Sequence, residues 1–384
     1  MSPIENFIYL SVCAASRARA RLDEVDFDAL WDIAANHNMT ALVAKALSDT
    51  KAYENAPHEE KERWRNALDN SVKKNMLFNS ERKRISDFME QNGIWHIPLK
   101  GAVINGLYPH FGTREFADND ILYDGGFRDT VDGYLVSRGY EHQDDEYVAE
   151  AYIKPPFFNF EMHTALFRPD NEDDYCLTFY REMLNRKLPE KGRQFTFRMT
   201  DDDFYIYFIV HAHKHYDNKG TGFRTLVDEY VILNSERFDI SFPRVESELD
   251  KLGIREFERR LRDLCAKLFD DNPENVPKTL EKLEGAERQM LGFILSSGTF
   301  GKMSNIYIKE FAESGNGDPP SKGKYFLKRI FPPPSRFRYS NPFVYKHKAV
   351  YPFFLVYRMA VKPIKHRKYI RQELSAIKKA EKNS

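Results

Sequence analysis

Two carboxylates two residues apart, Asp118 and Asp120, carry the clearest chemistry in this chain of 384 residues. Ile121, Leu122 and Tyr123 follow them, so 116–123 reads as a strand. On an extended strand, side chains i and i+2 share a face, roughly 6–7 Å apart. Acids held that way repel unless a cation neutralises them, and hard divalent ions favour one or two carboxylates plus substrate phosphates. The competing reading is a solvated turn, because Ala-Asp-Asn-Asp is also good turn chemistry. Upstream, Leu99-Lys100-Gly101-Ala102 marks a strand end passing into a helix, where free amides and a lysine meet phosphate oxygens. Downstream, Phe158-Asn159-Phe160-Glu161-Met162-His163 offers a third acid, Glu161, among the apolar neighbours of a buried strand.

Lys100-Gly101, then Asp118-Asn119-Asp120, then a lone Glu161 on a later strand resembles the DNA polymerase β-like nucleotidyltransferase superfamily. Within it, the pattern LKGA…LY…R…D-x-D-I-L…E-x-H is similar to an uncharacterised bacterial nucleotidyltransferase family often found near polysaccharide biosynthesis genes. The likeness is strongest over 95–165 and looser over the helical parts to about 300. The superfamily usually has Gly-Ser or Gly-Gly where Lys100-Gly101 stands, a departure the narrower family shares. The gap from Gly101 to Asp118 is somewhat long, and Asn119 is polar where a hydrophobic residue is usual. The resemblance implies two Mg²⁺ ions, with Mn²⁺ able to substitute, held by Asp118, Asp120 and Glu161. It implies transfer of a nucleoside monophosphate from an NTP to an acceptor hydroxyl, with release of pyrophosphate. Lys100, the Gly101 amide and Arg114 would surround that pyrophosphate. The family's setting points to a sugar or sugar phosphate of surface polysaccharide as acceptor.

Arg114, four residues before Asp118, has two readings: a forked contact to a triphosphate oxygen, or a surface salt bridge to Glu115 or Asp118. Members of the resembled family commonly carry arginine here. His163 shares the strand face of Glu161, as a hydrogen bonder behind the metal site, a contact to the base or a satisfied core histidine. Further on, Phe204, Phe208, His211 and His215 fall on one helix face, with His213 elsewhere. A zinc site would need a third ligand, which the sequence does not supply. The resembled family has a similar histidine-rich helix, so this face is expected to turn to the active site, with His211, Lys214 or His215 touching nucleotide or acceptor. Arg224 and Asp228 read as a structural i,i+4 pair. The glycine-rich stretch 296–302 lacks the strand that precedes a P-loop and reads as a loop.

These residues need a frame. Residues 1–92 read as helical, with a helix near 28–36, one capped by Thr40, and a long amphipathic one over 58–91 closed by Asn92-Gly93. Over 93–199 the period changes, giving strands at 94–99, 116–123, 140–142, 147–153 and 157–166, and helices at 102–108 and 128–137. Helical signals return over 200–318, and 319–384 form a proline-punctuated, basic, aromatic tail. The expected fold class is α+β: a small mixed-sheet, polymerase β-like nucleotidyltransferase core between helical N- and C-terminal regions.

Formal charge sums to zero, but residues 321–384 hold 17 Lys+Arg against 2 acids, leaving 41 against 56 elsewhere. The three cysteines have no metal-ligand spacing and read as reduced and buried, as in a cytosolic protein. No basic segment precedes the apolar stretch 7–15, and no run reaches membrane-spanning length. The expected location is therefore cytoplasmic, with peripheral contact to the inner face of the membrane through the aromatic and basic 331–384. Packing of that tail on the acidic body is the competing reading. No nucleic-acid-binding module is recognised. Two other function classes compete with transfer: a nucleotide-binding or scaffold protein without turnover, and an antitoxin-like transferase that modifies a protein partner. Pyrophosphate release separates the first from an active enzyme, and retention of one stable partner marks the second.

Overall fold

The computed structural model describes residues 1–116, 118–146, 149–167, 174–270, 272–299, 301, 331, 344 and 347–365. The start of the 147–153 strand, the proline clusters at 318–320 and 332–334, and the basic end 366–384 lie outside the described residues.

Helix α1 (Pro3–Ser16) begins with a capping box, in which Ser2 and Glu5 satisfy each other's backbone amides. Its apolar stretch from Phe7 to Ala15 is buried and forms a core helix. Asp26 caps α2 (Phe27–Asn36), and α3 (Thr40–Leu47) and α4 (Lys51–Glu54) follow. The cap of α3 differs from expectation. Thr40 is its first residue rather than its cap, and its hydroxyl donates to Glu115 Oε1. That oxygen also accepts from the Ala41 amide at 2.8 Å, so a distant carboxylate does the capping. Helix α5 (His58–Gln91) runs 34 residues, burying Trp64, Phe78, Ile85 and Met89.

The sheet is built from β1 (His96–Pro98), β2 (Asn119–Tyr123), β3 (Glu141–Glu146), β4 (Ala149–Lys154) and β5 (Phe158–His163), in the order β1-β2-β5-β4-β3. Strands β2 and β5 are parallel, and the other neighbours are antiparallel. Between them lie α6 (Lys100–Ile104) and α7 (Arg128–Ser137). Alternation along β2 divides its side chains between two layers. Ile121 and Tyr123 pack with Phe160 and Met162 against Phe78 and Ile85 of α5 and Val131 and Leu135 of α7. Leu122 belongs to the larger apolar cluster, on the side that carries Asp120.

Helix α8 (Asp174–Arg186) has no counterpart among the expectations. Cys176, Phe179 and Met183 are its buried side chains, at the i, i+3, i+7 spacing that signals an amphipathic helix. A short ribbon, β6 (Leu188–Pro189) with β7 (Phe197–Arg198), leads to α9 (Asp201–Asn218), which Thr200 caps. Helices α10 (Arg224–Leu233), α11 (Phe242–Lys251), α12 (Arg255–Leu268), α13 (Val276–Lys282) and α14 (Gly285–Ser297) follow. The expected loop 296–302 therefore begins two residues late, at Gly298, whose φ of 70° no longer permits helix. After α15 (Tyr351–Lys365) the described chain ends.

Phe7 of α1 meets Phe223, just before α10, edge-on at 5.4 Å. Amino-terminal and carboxy-terminal helices thus share one apolar cluster. The three cysteines are buried. Among the described residues, no helix is long and apolar enough to cross a membrane.

Candidate active site

A cavity of about 400 Å³ lies between the β2–β5 pair and helices α6, α9 and α10, and every candidate site residue named from the sequence lines it. The parallel register sets Asp120 opposite Glu161 and Leu122 opposite His163. Asp118 precedes β2 by one residue and faces the same cavity. His163 Nε2 lies 3.1 Å from Asp120 Oδ1 and 3.8 Å from Glu161 Oε2.

Crowding of these acids shows in their protonation. Burial, then the charge of Asp120, raises the Asp118 carboxyl. Burial, then the charges of Asp120 and Asp118, pushes Glu161 up to about 7. Burial would also raise Asp120, but the His163 hydrogen bond and the charges of His163 and Lys100 outweigh it and hold Asp120 low. Two of the three acids, Asp118 and Glu161, are thus driven towards the neutral form, a strain a divalent cation would relieve. The donor atoms of Asp120, Glu161 and His163 lie within 4.8 Å of one another. This trio holds His163 where the sequence reading has Asp118. With Asp118 beside it, the donor set is mostly carboxylate oxygen, which fits Mg²⁺ or Mn²⁺ better than zinc.

Asn119, between the acids, points away from them. Its Oδ1 accepts from Arg82 Nη1 at 2.7 Å, while Arg82 Nη2 donates to Asn79 Oδ1 at 2.6 Å. Burial brings the Arg82 guanidinium down to about 10, so a hydrophobic residue at 119 would deprive a poorly hydrated cation of an acceptor.

Basic side chains line the same cavity. Lys100 opens α6 and its Nζ lies 2.8 Å from His211 Nδ1. Burial draws this ammonium down to about 8, against the pull of Asp120 and Asp118. Burial and then Lys100 hold His211 well below its ordinary value, so it faces the lysine as a neutral acceptor. His215 Nε2 is 3.3 Å from His211 Nε2, and Lys214 and His215 are exposed at the mouth. Among the described residues no metal-type cluster includes this histidine pair. His213 turns away and meets Phe257 edge-on at 5.0 Å.

Arg114 forms a salt bridge, but with neither Glu115 nor Asp118. Its Nε and Nη2 donate to Asp228 Oδ1 and Oδ2, each at 2.9 Å. The expected Arg224–Asp228 pair is therefore not formed: Arg224 Nη1 donates instead to the Glu115 carbonyl at 3.1 Å. Tyr207 also lines the cavity and was not anticipated, although its place one turn before His211 was available from helical spacing. Thr225 of α10 and Thr221, shortly before that helix, are cavity residues that no motif marks.

The sequence profile of a family described as "Uncharacterised nucleotidyltransferase" matches residues 23–270. That span holds every cavity-lining residue except Thr299. No curated protein and no solved structure matches the chain.

Proposed function

Because this chain belongs to the uncharacterised nucleotidyltransferase family, we propose that its cavity moves a nucleoside monophosphate from an NTP to an acceptor hydroxyl, releasing pyrophosphate. The observation that carries the reading is the meeting of Asp118, Asp120 and Glu161 in one cavity with Lys100.

Asp120, Glu161 and Asp118 would hold Mg²⁺, or Mn²⁺ in its place, with His163 beside them; bound there, the metal supplies neutralisation of the triphosphate and a lower pKa for the acceptor hydroxyl. His163 orients the Asp120 carboxylate through its hydrogen bond. Glu161 takes the acceptor's proton as oxygen attacks the α-phosphorus and the bond to pyrophosphate breaks. Lys100, with the Gly101 amide, balances the charge of the departing pyrophosphate. Arg114, with its fork on Asp228, fixes the loop that delivers Asp118.

A sugar or sugar phosphate is the acceptor class we propose, from the setting of the resembled family. We also propose a cytoplasmic protein with peripheral membrane contact, favoured by one observation: α15 leaves Phe353 (76 %), Val356 (62 %) and Tyr357 (61 %) exposed. Deleting the chain from Phe331 onward should then abolish binding to anionic vesicles, and an intact chain that never binds them removes the contact.

The main test is pyrophosphate release with each of the four NTPs, Mg²⁺ or Mn²⁺, and a cell extract as acceptor pool. Release that disappears in Asp118→Asn and Asp120→Asn supports transfer at this site. Nucleotide binding without release under any condition favours a binding or scaffold protein. A single labelled protein in the extract identifies a protein-modifying transferase.

A further inference from the structure

We infer that Arg224 is the guanidinium that grips the triphosphate, while Arg114 serves the fold; this deepens the reading above and rests on it. Arg114 is spent. Both arms of its fork lie on Asp228, whose Oδ1 also accepts from the Tyr108 hydroxyl at 2.7 Å. Its charge is thus neutralised inside the protein.

Arg224 differs in each respect. It stands at the start of α10, half-buried, one turn before Asp228, and lines the cavity. Its recorded hydrogen bonds use Nη1 alone. One goes to the Glu115 carbonyl at 3.1 Å. The other goes to the Asn38 side-chain oxygen at 3.0 Å when that amide is turned to donate to Glu115 Oε2. Both acceptors are neutral. Among the described residues, no carboxylate pairs with Arg224 at ion-pair distance, and its Nε and Nη2 make no hydrogen bond. Desolvating a guanidinium without a counter-ion is costly, and the cost is met when an anion arrives.

Its neighbours point to the same ligand. Lys100 is bonded to the neutral His211, and neither Lys100 nor Lys214 has a salt bridge to a described carboxylate. The cavity thus holds acids, Asp118, Asp120 and Glu161, together with cations, Lys100, Lys214 and Arg224. That set of charges fits a metal-bound triphosphate: the metal would meet the acids, and phosphate oxygens would meet the cations. The two unused N–H arms of Arg224 suit the forked contact guanidinium makes to phosphate oxygens.

The experiment titrates inorganic tripolyphosphate and orthophosphate, in Mg²⁺ buffer, into wild-type protein, Arg224→Gln and Arg224→Lys by calorimetry, alongside the four NTPs. Folding is checked by circular dichroism. Wild type should prefer tripolyphosphate. Arg224→Gln should bind it at least tenfold more weakly, a change of about 1.4 kcal/mol, and should lose most of its preference over orthophosphate. Arg224→Lys keeps the charge without the fork and should fall between the two; if the glutamine variant does not fold, this variant decides. A folded variant that binds tripolyphosphate as wild type does overturns the role of Arg224 and leaves nucleotidyl transfer standing. Wild type that binds neither tripolyphosphate nor any NTP overturns both.

Discussion

Arg114 and Asp228 face each other fork to fork, both bonds at 2.9 Å, across 114 positions of sequence. Only 4 % and 7 % of these side chains is exposed, so the pair sits where water screens little. It ties the loop before Asp118 to α10. Removing one partner of such a pair leaves the other charge buried and unpaired, a loss of roughly 3–5 kcal/mol. Asp228→Asn should lower the free energy of unfolding, measured by urea titration, by that order. A loss below about 1 kcal/mol, as for surface pairs, would mean the loop is held by something else.

The acids should be separable from the fold. Asp120→Asn and Glu161→Gln should each cost more than about a hundredfold in pyrophosphate release, on the scale of losing one preorganised electrostatic group, with circular dichroism unchanged. EDTA should stop wild-type release, and added Mg²⁺ should restore it. Turnover that persists in both variants would move the chemistry out of this cavity.

Away from the site, Tyr205 places its hydroxyl 2.6 Å from Glu229 Oε1 and 3.0 Å from Glu258 Oε1. Burial pushes the Glu229 carboxyl up to about 8; the Tyr205 bond opposes this and the charge of Glu258 adds to it. An unfolded glutamate ionises near 4.5. Below that pH both states are protonated and the group contributes no pH dependence. Between there and pH 8 the unfolded chain gives up its proton first, so stability falls with rising pH, by up to about 1.4 kcal/mol per unit. Glu229→Gln should therefore melt above wild type at pH 8 and level with it at pH 4.5. A constant difference across that range would show that Glu229 is ionised in the fold.

Asn119 offers a test of a different kind, because it sits between two site acids yet serves Arg82. Asn119→Leu should cost roughly 1–3 kcal/mol of stability, the penalty for an unsatisfied buried partner, and should keep pyrophosphate release. Adding Arg82→Met should recover part of the loss. Unchanged stability with lost turnover would place Asn119 in the reaction.

Local pattern accounts for much of what could be anticipated. Period-two spacing put Asp118 with Asp120 and Glu161 with His163, and the structure opens all four onto one cavity. Helical spacing separated His213 from His211 and His215, as found in α9. Helix α8 carried a usable signal of the same kind that went unread. Other errors were of another nature. Thr40 was expected to cap α3 and instead meets Glu115; Arg224 was expected to pair with Asp228, which instead takes Arg114.

Those errors share a physical cause. The amino-acid order determines which residue types recur on one face of a strand or helix, because backbone periods are intrinsic to the chain. It therefore determined the acidic strand, the histidine face and the α+β alternation. A long-range pair depends on which surfaces close together, and that is decided by apolar packing summed over the whole fold. Only the tertiary structure could decide that Arg82 claims Asn119, that Glu115 caps α3, and that Asp228 neutralises Arg114 while Arg224 keeps its charge in the cavity.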